Sequence, residues 1–205
     1  MDFHVMSIQR HRMLVDGQGV TTLIGLDGCP LSCEYCLNKK SLMRHKWTVY
    51  TKEALMDEIM QDYCYYVATD GGITFGGGES LLHAEAIKEL CQILPADIHV
   101  NVETSLQCSD NTVSMMIPCI TEWIIDVKTL NPEVYQRYTK CKIDKLVDNL
   151  KLLTKAGIQD RCKVRVPRIP EYTTDEDIIM TVKELQDMGF DYIEQFDYII
   201  RENCE

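Results

Sequence analysis

The sequence predicts an α/β fold, an open, partial (β/α)6 barrel of TIM type, in a single domain spanning residues 1–205. Three observations predict it. Six short β-rich runs, near residues 20–27, 71–76, 98–105, 121–129, 162–169 and 192–199, alternate with segments of helical period, and strands alternating with helices build a parallel sheet. Six βα units are too few to close the eight-stranded barrel, so the sheet is expected to stay open. A chain of 205 residues, 45% hydrophobic and 26% charged, is enough for one ordinary core, and no repeat or low-complexity linker marks a second.

Taken in order, the first run, Thr21 to Gly28, leads directly into a cysteine-rich loop. Leu55, Met56, Ile59, Met60 and Tyr63 then share one face of a predicted helix, with Thr51 as its N-cap. The second run ends in Gly76-Gly77-Gly78-Glu79, the third in Val102-Glu103-Thr104-Ser105 and the fourth in Ile125-Asp126-Val127-Lys128-Thr129. Asn131-Pro132 opens a helix; Ile143, Leu146, Val147 and Leu150 form the buried face of another, which Gly157 closes. After the fifth run, Lys163-Val164-Arg165-Val166-Pro167, Thr174 with Asp177 three residues on starts the last helix, Gly189 ends it, and Tyr192 to Ile199 form the sixth run.

Charge and hydropathy exclude two classes of partner. A formal charge of −11 works against general affinity for a polyanion, because Lys and Arg neutralising phosphates supply most non-specific nucleic-acid binding. Apolar stretches such as Met115 to Ile120 fall far short of the roughly 20 residues that span a bilayer. The opening MDFHVMSIQR carries no apolar signal segment, so a cytoplasmic protein is expected.

Cys29, Cys33 and Cys36 form a C-x3-C-x2-C run, three thiols in eight residues. One loop with that spacing can wrap a metal centre, and a four-iron cube so held keeps one iron without a protein ligand. A structural zinc site would need a fourth Cys or His, and no second pair or nearby histidine offers it. A disulfide framework needs an oxidising compartment. For most of the other seven cysteines, scattered along the chain, the expectation is free buried thiols.

In a parallel α/β sheet the chemistry belongs at the C-terminal ends of the strands. The cysteine loop, the Gly76–Glu79 turn and the polar groups after the third and fourth runs all fall there. Each has a plainer reading: a tight strand-to-helix turn for the glycines, solvated caps for the polar groups, a salt-bridged barrel residue for Arg165. No Gly-Lys-Ser/Thr follows the glycines, so the turn is not a phosphate loop.

GLDGCPLSCEYCLN, with Tyr35 just before the third cysteine, resembles the cluster loop of the radical S-adenosylmethionine (SAM) superfamily. Val15-Asp16-Gly17-Gln18-Gly19-Val20 ahead of it resembles the opening of glycyl radical enzyme activating enzymes, the class that includes pyruvate formate-lyase activating enzyme, with Gln18 in place of the usual proline. Gly77-Gly78-Glu79 resembles the GGE motif, and the ends of the third and fourth runs resemble the D-T-N-G and D-L-K motifs, with Glu103 for Asp and Ser105-Leu106 for Asn-Gly. A histidine is often found near the end of the last strand, where Ile199 stands here.

The resemblance implies the open barrel of radical SAM enzymes, and it implies an oxidoreductase of anaerobic metabolism. Cys29, Cys33 and Cys36 would hold a 4Fe-4S cluster whose open iron chelates SAM. Gly77, Gly78 and Glu79, supported by Gly76, would receive the amino group of SAM, and Lys128 its carboxylate. Thr104 and Arg165 would add contacts, and Tyr35 would help hold the adenosine. Glu103 and Asp126 would hold a monovalent cation. Asp16, near the mouth, would orient SAM or substrate, and no residue is assigned as a catalytic acid or base. Reductive cleavage of SAM would give methionine and a 5′-deoxyadenosyl radical that abstracts hydrogen, first of all from a glycine Cα of a partner glycyl radical enzyme. Flavodoxin or ferredoxin would supply the low-potential electron. A radical SAM enzyme acting on a small molecule or a peptide is the alternative; a non-catalytic iron–sulfur or zinc protein is the more distant one, leaving Gly77, Gly78, Glu79 and Lys128 without a purpose.

Overall fold

The computed structural model describes residues 2–44 and 46–200. The chain runs through β1 (Phe3–Met13), β2 (Val20–Leu26), α1 (Lys39–Arg44), β3 (Thr48–Tyr50), α2 (Lys52–Met60), α3 (Tyr63–Thr69) and β4 (Gly72–Gly77). After a 3-10 turn at Ser80–His83 come α4 (Ala84–Cys91), β5 (His99–Thr104), α5 (Asp110–Met116), β6 (Glu122–Asp126), α6 (Pro132–Thr139), α7 (Asp144–Ala156), β7 (Cys162–Arg168), α8 (Asp175–Asp187) and β8 (Ile193–Asp197).

One sheet holds eight strands in the order β3-β1-β2-β4-β5-β6-β7-β8. The six from β2 to β8 are parallel and match the six runs read from the sequence; β3 and β8 end the sheet, which therefore stays open. Two strands were not anticipated. β1 pairs antiparallel with β2 along most of its length and with β3 over Phe3–Val5, extending the sheet at the edge before the first parallel strand.

Side chains of alternate residues on a strand point to opposite faces. Ile24, Ile73, Phe75, Val100, Val102, Trp123, Ile125, Val164 and Val166 share the parity that packs on the helices and make the core. The other parity brings Thr74, Asn101, Glu103, Asp126 and Arg165 to the concave face. An apolar outer face and a polar inner one leave the polar chemistry nowhere to go but inside the barrel.

The helix ends follow the local signals. Asn131 accepts from the amides of Glu133 and Val134 with Pro132 behind it, Thr174 and Asp177 form a reciprocal capping box, and Gly157 takes the left-handed conformation (φ 70°) that stops α7. The helix expected from Leu55 to Tyr63 is split. Asp62 interrupts it because its carboxylate, 5% exposed, turns inward to Arg10 and His11 on β1 and Thr22 on β2. Among the described residues no helix is long and apolar enough to cross a membrane.

Candidate active site

The cysteine loop leaves the end of β2 and is clamped from two sides. Gly78 N–H donates to Leu26 O (2.9 Å) and Glu79 N–H to Gly28 O (2.8 Å), while Ser32 N–H donates to Thr139 O (2.9 Å) and Glu34 N–H to Tyr138 O (3.2 Å). The first pair of contacts demands a glycine, since a Cβ on Gly78 would lie 1.9 Å from the Gly28 carbonyl oxygen. So held, Cys29, Cys33 and Cys36 line one cavity of about 350 Å3 together with Gly77, Gly78, Glu103, Thr104, Asp126, Lys128 and Arg165. All but Arg165, which sits mid-strand in β7, lie at or beyond the C-terminal end of a parallel strand, where the fold rule places a site.

Burial pushes the Cys29 thiol up to about 11 and the Cys33 thiol to about 12, Lys128 only partly offsetting the second. At neutral pH these sulfurs keep their protons until a metal replaces them. Among the described residues no three Cys, His, Asp or Glu side chains converge on a single-ion position.

Glu79 packs against the loop that follows β5. It is 1% exposed and lies beneath the cavity wall, not in it. One oxygen accepts from the Leu81 amide (3.2 Å) and the Thr104 hydroxyl (2.6 Å), the other from the Ser105 amide (2.9 Å) and hydroxyl (2.6 Å). All its acceptor capacity is used in joining the end of β4 to the end of β5. Gly76 serves the neighbouring carboxylate: a Cβ there would stand 2.6 Å from Glu103 Oε2.

Glu103 and Asp126 do come together, but with a guanidinium between them. Arg165 Nη1 is 2.9 Å from Glu103 Oε1 and its Nε is 2.8 Å from Asp126 Oδ1, while Lys128 Nζ is 3.1 Å from Asp126 Oδ2. Burial alone would raise the Asp126 carboxyl, yet Lys128 and Arg165 outweigh it and hold it at about 2. Burial dominates at Glu103 and raises it despite Arg165.

Asp16 reaches the same cavity from the opposite end. Its loop joins the end of β1 to the start of β2, so the residue, 2% exposed, forms the floor and not the mouth. Arg12 pairs with its carboxylate, and the Thr74 hydroxyl donates to its backbone carbonyl.

Tyr35 faces away from the cavity. Its hydroxyl donates to Glu171 (3.0 Å) and its ring packs against Tyr138 and Tyr172. The aromatic wall is made instead by Tyr138, Phe196 and Tyr198, which the sequence reading did not single out. Tyr198 donates to the Tyr35 carbonyl (2.7 Å), so it is Tyr198, not the exposed Ile199, that enters the site at the end of the last strand. Period-two alternation through Glu194, Phe196 and Tyr198 was a usable signal. The buried Tyr138 hydroxyl stands beside that of Tyr198.

Comparison with known proteins follows the same lines. The family model of the Radical SAM superfamily matches residues 23–193. The (2S)-3-sulfopropanediol dehydratase activating enzyme of Klebsiella oxytoca is 28% identical, over 83% of this chain and 73% of that enzyme. Pyruvate formate-lyase 1-activating enzyme of Escherichia coli (strain K12) is 25% identical, over 85% of this chain and 72% of that one. Among solved structures, coproporphyrinogen III oxidase (HemN) from Escherichia coli superposes over 96% of this chain with a TM-score of 0.59 and 13% identity, and Streptococcus suis SuiB bound to S-adenosylmethionine over 86% with 0.58 and 16%. The chain spans 51% and 38% of those two proteins, so the likeness there is one of fold.

Proposed function

This chain belongs to the Radical SAM superfamily, and from that premise we propose that it is the activating enzyme of a glycyl radical enzyme, abstracting hydrogen from a glycine Cα of that partner. The observation that carries the reading is the single cavity in which three cysteines from one loop meet the Gly77-Gly78 turn and Lys128. The curated relatives act as activating enzymes, of (2S)-3-sulfopropanediol dehydratase and pyruvate formate-lyase among others, which favours a protein substrate.

The residues present suit a 4Fe-4S cluster and SAM. Three thiols from one loop and the Lys128 ammonium line the same cavity, a donor set that suits a cluster with one open iron and the carboxylate of SAM. When bound, the pair would supply one-electron cleavage of the sulfonium and hydrogen abstraction by the adenosyl fragment. The chain's part is to bind and orient. Cys29, Cys33 and Cys36 would ligate three irons, leaving the fourth for the amino-acid head of SAM. Gly77 and Gly78, bare of side chains, let that head approach the backbone, and Lys128 would take its carboxylate. Glu79 would act at one remove, by fixing the Gly77-Gly78 turn against Thr104 and Ser105. Tyr138, Phe196 and Tyr198 exclude water from one wall, and Arg12 with Asp16 closes the floor. The unclosed sheet gives a peptide loop a way in.

The test is anaerobic reconstitution with iron and sulfide, reduction, and addition of SAM with and without a candidate glycyl radical enzyme. 5′-Deoxyadenosine that rises with the partner, with a glycine-centred spin signal on it, is the expected result. Cleavage without transfer would remove the glycyl radical partner. Cys33→Ala with full iron content and visible absorbance would remove the cluster from this loop.

A further inference from the structure

Two acids at the ends of adjacent strands, facing a site for a charged small molecule, invite a bound cation. Glu103 and Asp126 have that position, and the family resemblance assigns them a monovalent one. The charge they need is already covalently present. Arg165 stands directly opposite Asp126 in the β6–β7 register and reaches across β6 to Glu103 on β5, contacting one oxygen of each acid at 2.9 and 2.8 Å. Lys128 takes the second oxygen of Asp126 at 3.1 Å.

We propose that Arg165 is the resident cation of this cavity, so that the chain binds SAM without a potassium or sodium ion. The inference rests on the reading of the cavity as a SAM site and adds to it a claim about how charge is balanced there.

Three arguments carry it. The first is ligand supply: both oxygens of Asp126 and one of Glu103 are engaged by nitrogen donors. The remaining Glu103 Oε2 is pressed toward the Gly76 backbone, where even a methyl group would fall 2.6 Å away. A hard cation collects its ligands as a set of oxygens around one point, and that set is not on offer here. The second is charge. The two carboxylates face two nitrogen cations, Arg165 and Lys128, so the pair of acids keeps no uncompensated negative charge to attract a metal ion. The third is permanence. A guanidinium stays charged at every working pH and its planar fork spans two carboxylates, which a hydrated alkali ion in exchange with solvent does not do. Arg165 is thereby a positioning residue: it holds Glu103 and Asp126 in place and, through Asp126, the Lys128 ammonium.

The test measures SAM binding to the cluster-loaded protein by calorimetry in tetramethylammonium, potassium and sodium buffers. The parent is expected to keep its affinity within about twofold across the three. Arg165→Met is expected to bind about tenfold more weakly in tetramethylammonium and to recover in potassium or sodium, a rescue that loss of a merely structural contact would not show. Thallium(I), a potassium stand-in with strong anomalous scattering, should give no peak between Glu103 and Asp126 in crystals of the parent, a measurement that needs no variant. A parent that gains about tenfold on adding potassium or sodium, a thallium peak between the two acids, or an Arg165→Met variant indifferent to salt would overturn the proposal. Failure of the parent to bind SAM in any of the three buffers would instead strike at the reading of the site itself.

Discussion

Ser105 gives both its backbone amide and its hydroxyl to one oxygen of Glu79, at 2.9 and 2.6 Å. With Thr104 and the Leu81 amide on the other oxygen, a carboxylate that the motif suggests as a ligand for an ammonium is spent on the protein itself. Glu79→Ala would leave two amides and two hydroxyls without their acceptor in a buried place, and is expected to cost about 3 kcal/mol or more. The check is urea unfolding of the iron-free protein. A variant of unchanged stability that merely binds SAM poorly would show that Glu79 faces the cofactor after all.

Gly78 and Gly157 separate two uses of glycine. At Gly157 the backbone is left-handed (φ 70°) but nothing lies within 4 Å of an added Cβ, so Gly157→Ala should cost about 1 kcal/mol and leave iron loading intact. At Gly78 the added carbon would meet the Gly28 carbonyl oxygen, the acceptor that anchors the cysteine loop to the turn. Gly78→Ala must displace that loop and is expected to lose most of its iron after reconstitution, at a stability cost of about 1–3 kcal/mol. Equal iron content in the two variants would count against the clamp.

The parallel strands were legible because β-branched and aromatic residues cluster between glycines and polar punctuation, and the strand ends then located the cavity. β1 was not: beyond Val5 its residues are Ser7, Gln9, Arg10, His11 and Arg12 among Met6 and Ile8, polar on both faces, and only its pairing with β2 reveals it as a strand. Resemblance singles out Arg165, with a salt-bridged barrel residue as its plainer reading, but which acids it reaches depends on β5, β6 and β7 being neighbours. The fate of Glu79 was hidden for the same reason, since its partners Thr104 and Ser105 lie 25 and 26 residues away. Tyr35 was chosen by motif position. The aromatic that faces the cavity, Tyr138, is brought there by α6 docking on the cysteine loop, a contact between segments about a hundred residues apart that local pattern does not encode.

Tyr138 gives a prediction that is read separately in the two states. Its buried hydroxyl stands beside that of Tyr198, the contact that Tyr138→Phe removes. The iron-free variant should therefore be slightly less stable than the parent, by about 1 kcal/mol. If the hydroxyl serves the bound cofactor, the cluster-loaded variant should bind SAM about three- to tenfold more weakly. Thermal unfolding and calorimetry read the two effects separately. A variant destabilised without iron and unaltered in SAM affinity would assign the hydroxyl to packing alone.

Asp177 supplies a pH dependence away from the cavity. The Thr174 amide lowers its pKa most, burial works against it, and hydrogen bonds from Asn131 and the Thr174 hydroxyl add to the lowering. A carboxyl held below its unfolded value contributes stability that is fully present above that value and is lost as pH falls through the folded one. At neutral pH Asp177→Asn should therefore be less stable than the parent, as Thr174→Ala should be by about 1 kcal/mol. The gap between Asp177→Asn and the parent should shrink as pH falls below the ordinary carboxylate range and close once it has passed the lowered folded value, as both side chains become neutral. Urea unfolding of the iron-free proteins across that range is the measurement. A gap that stays constant down to acid pH would mean that the box works through shape alone, with no share of its strength coming from the carboxylate charge.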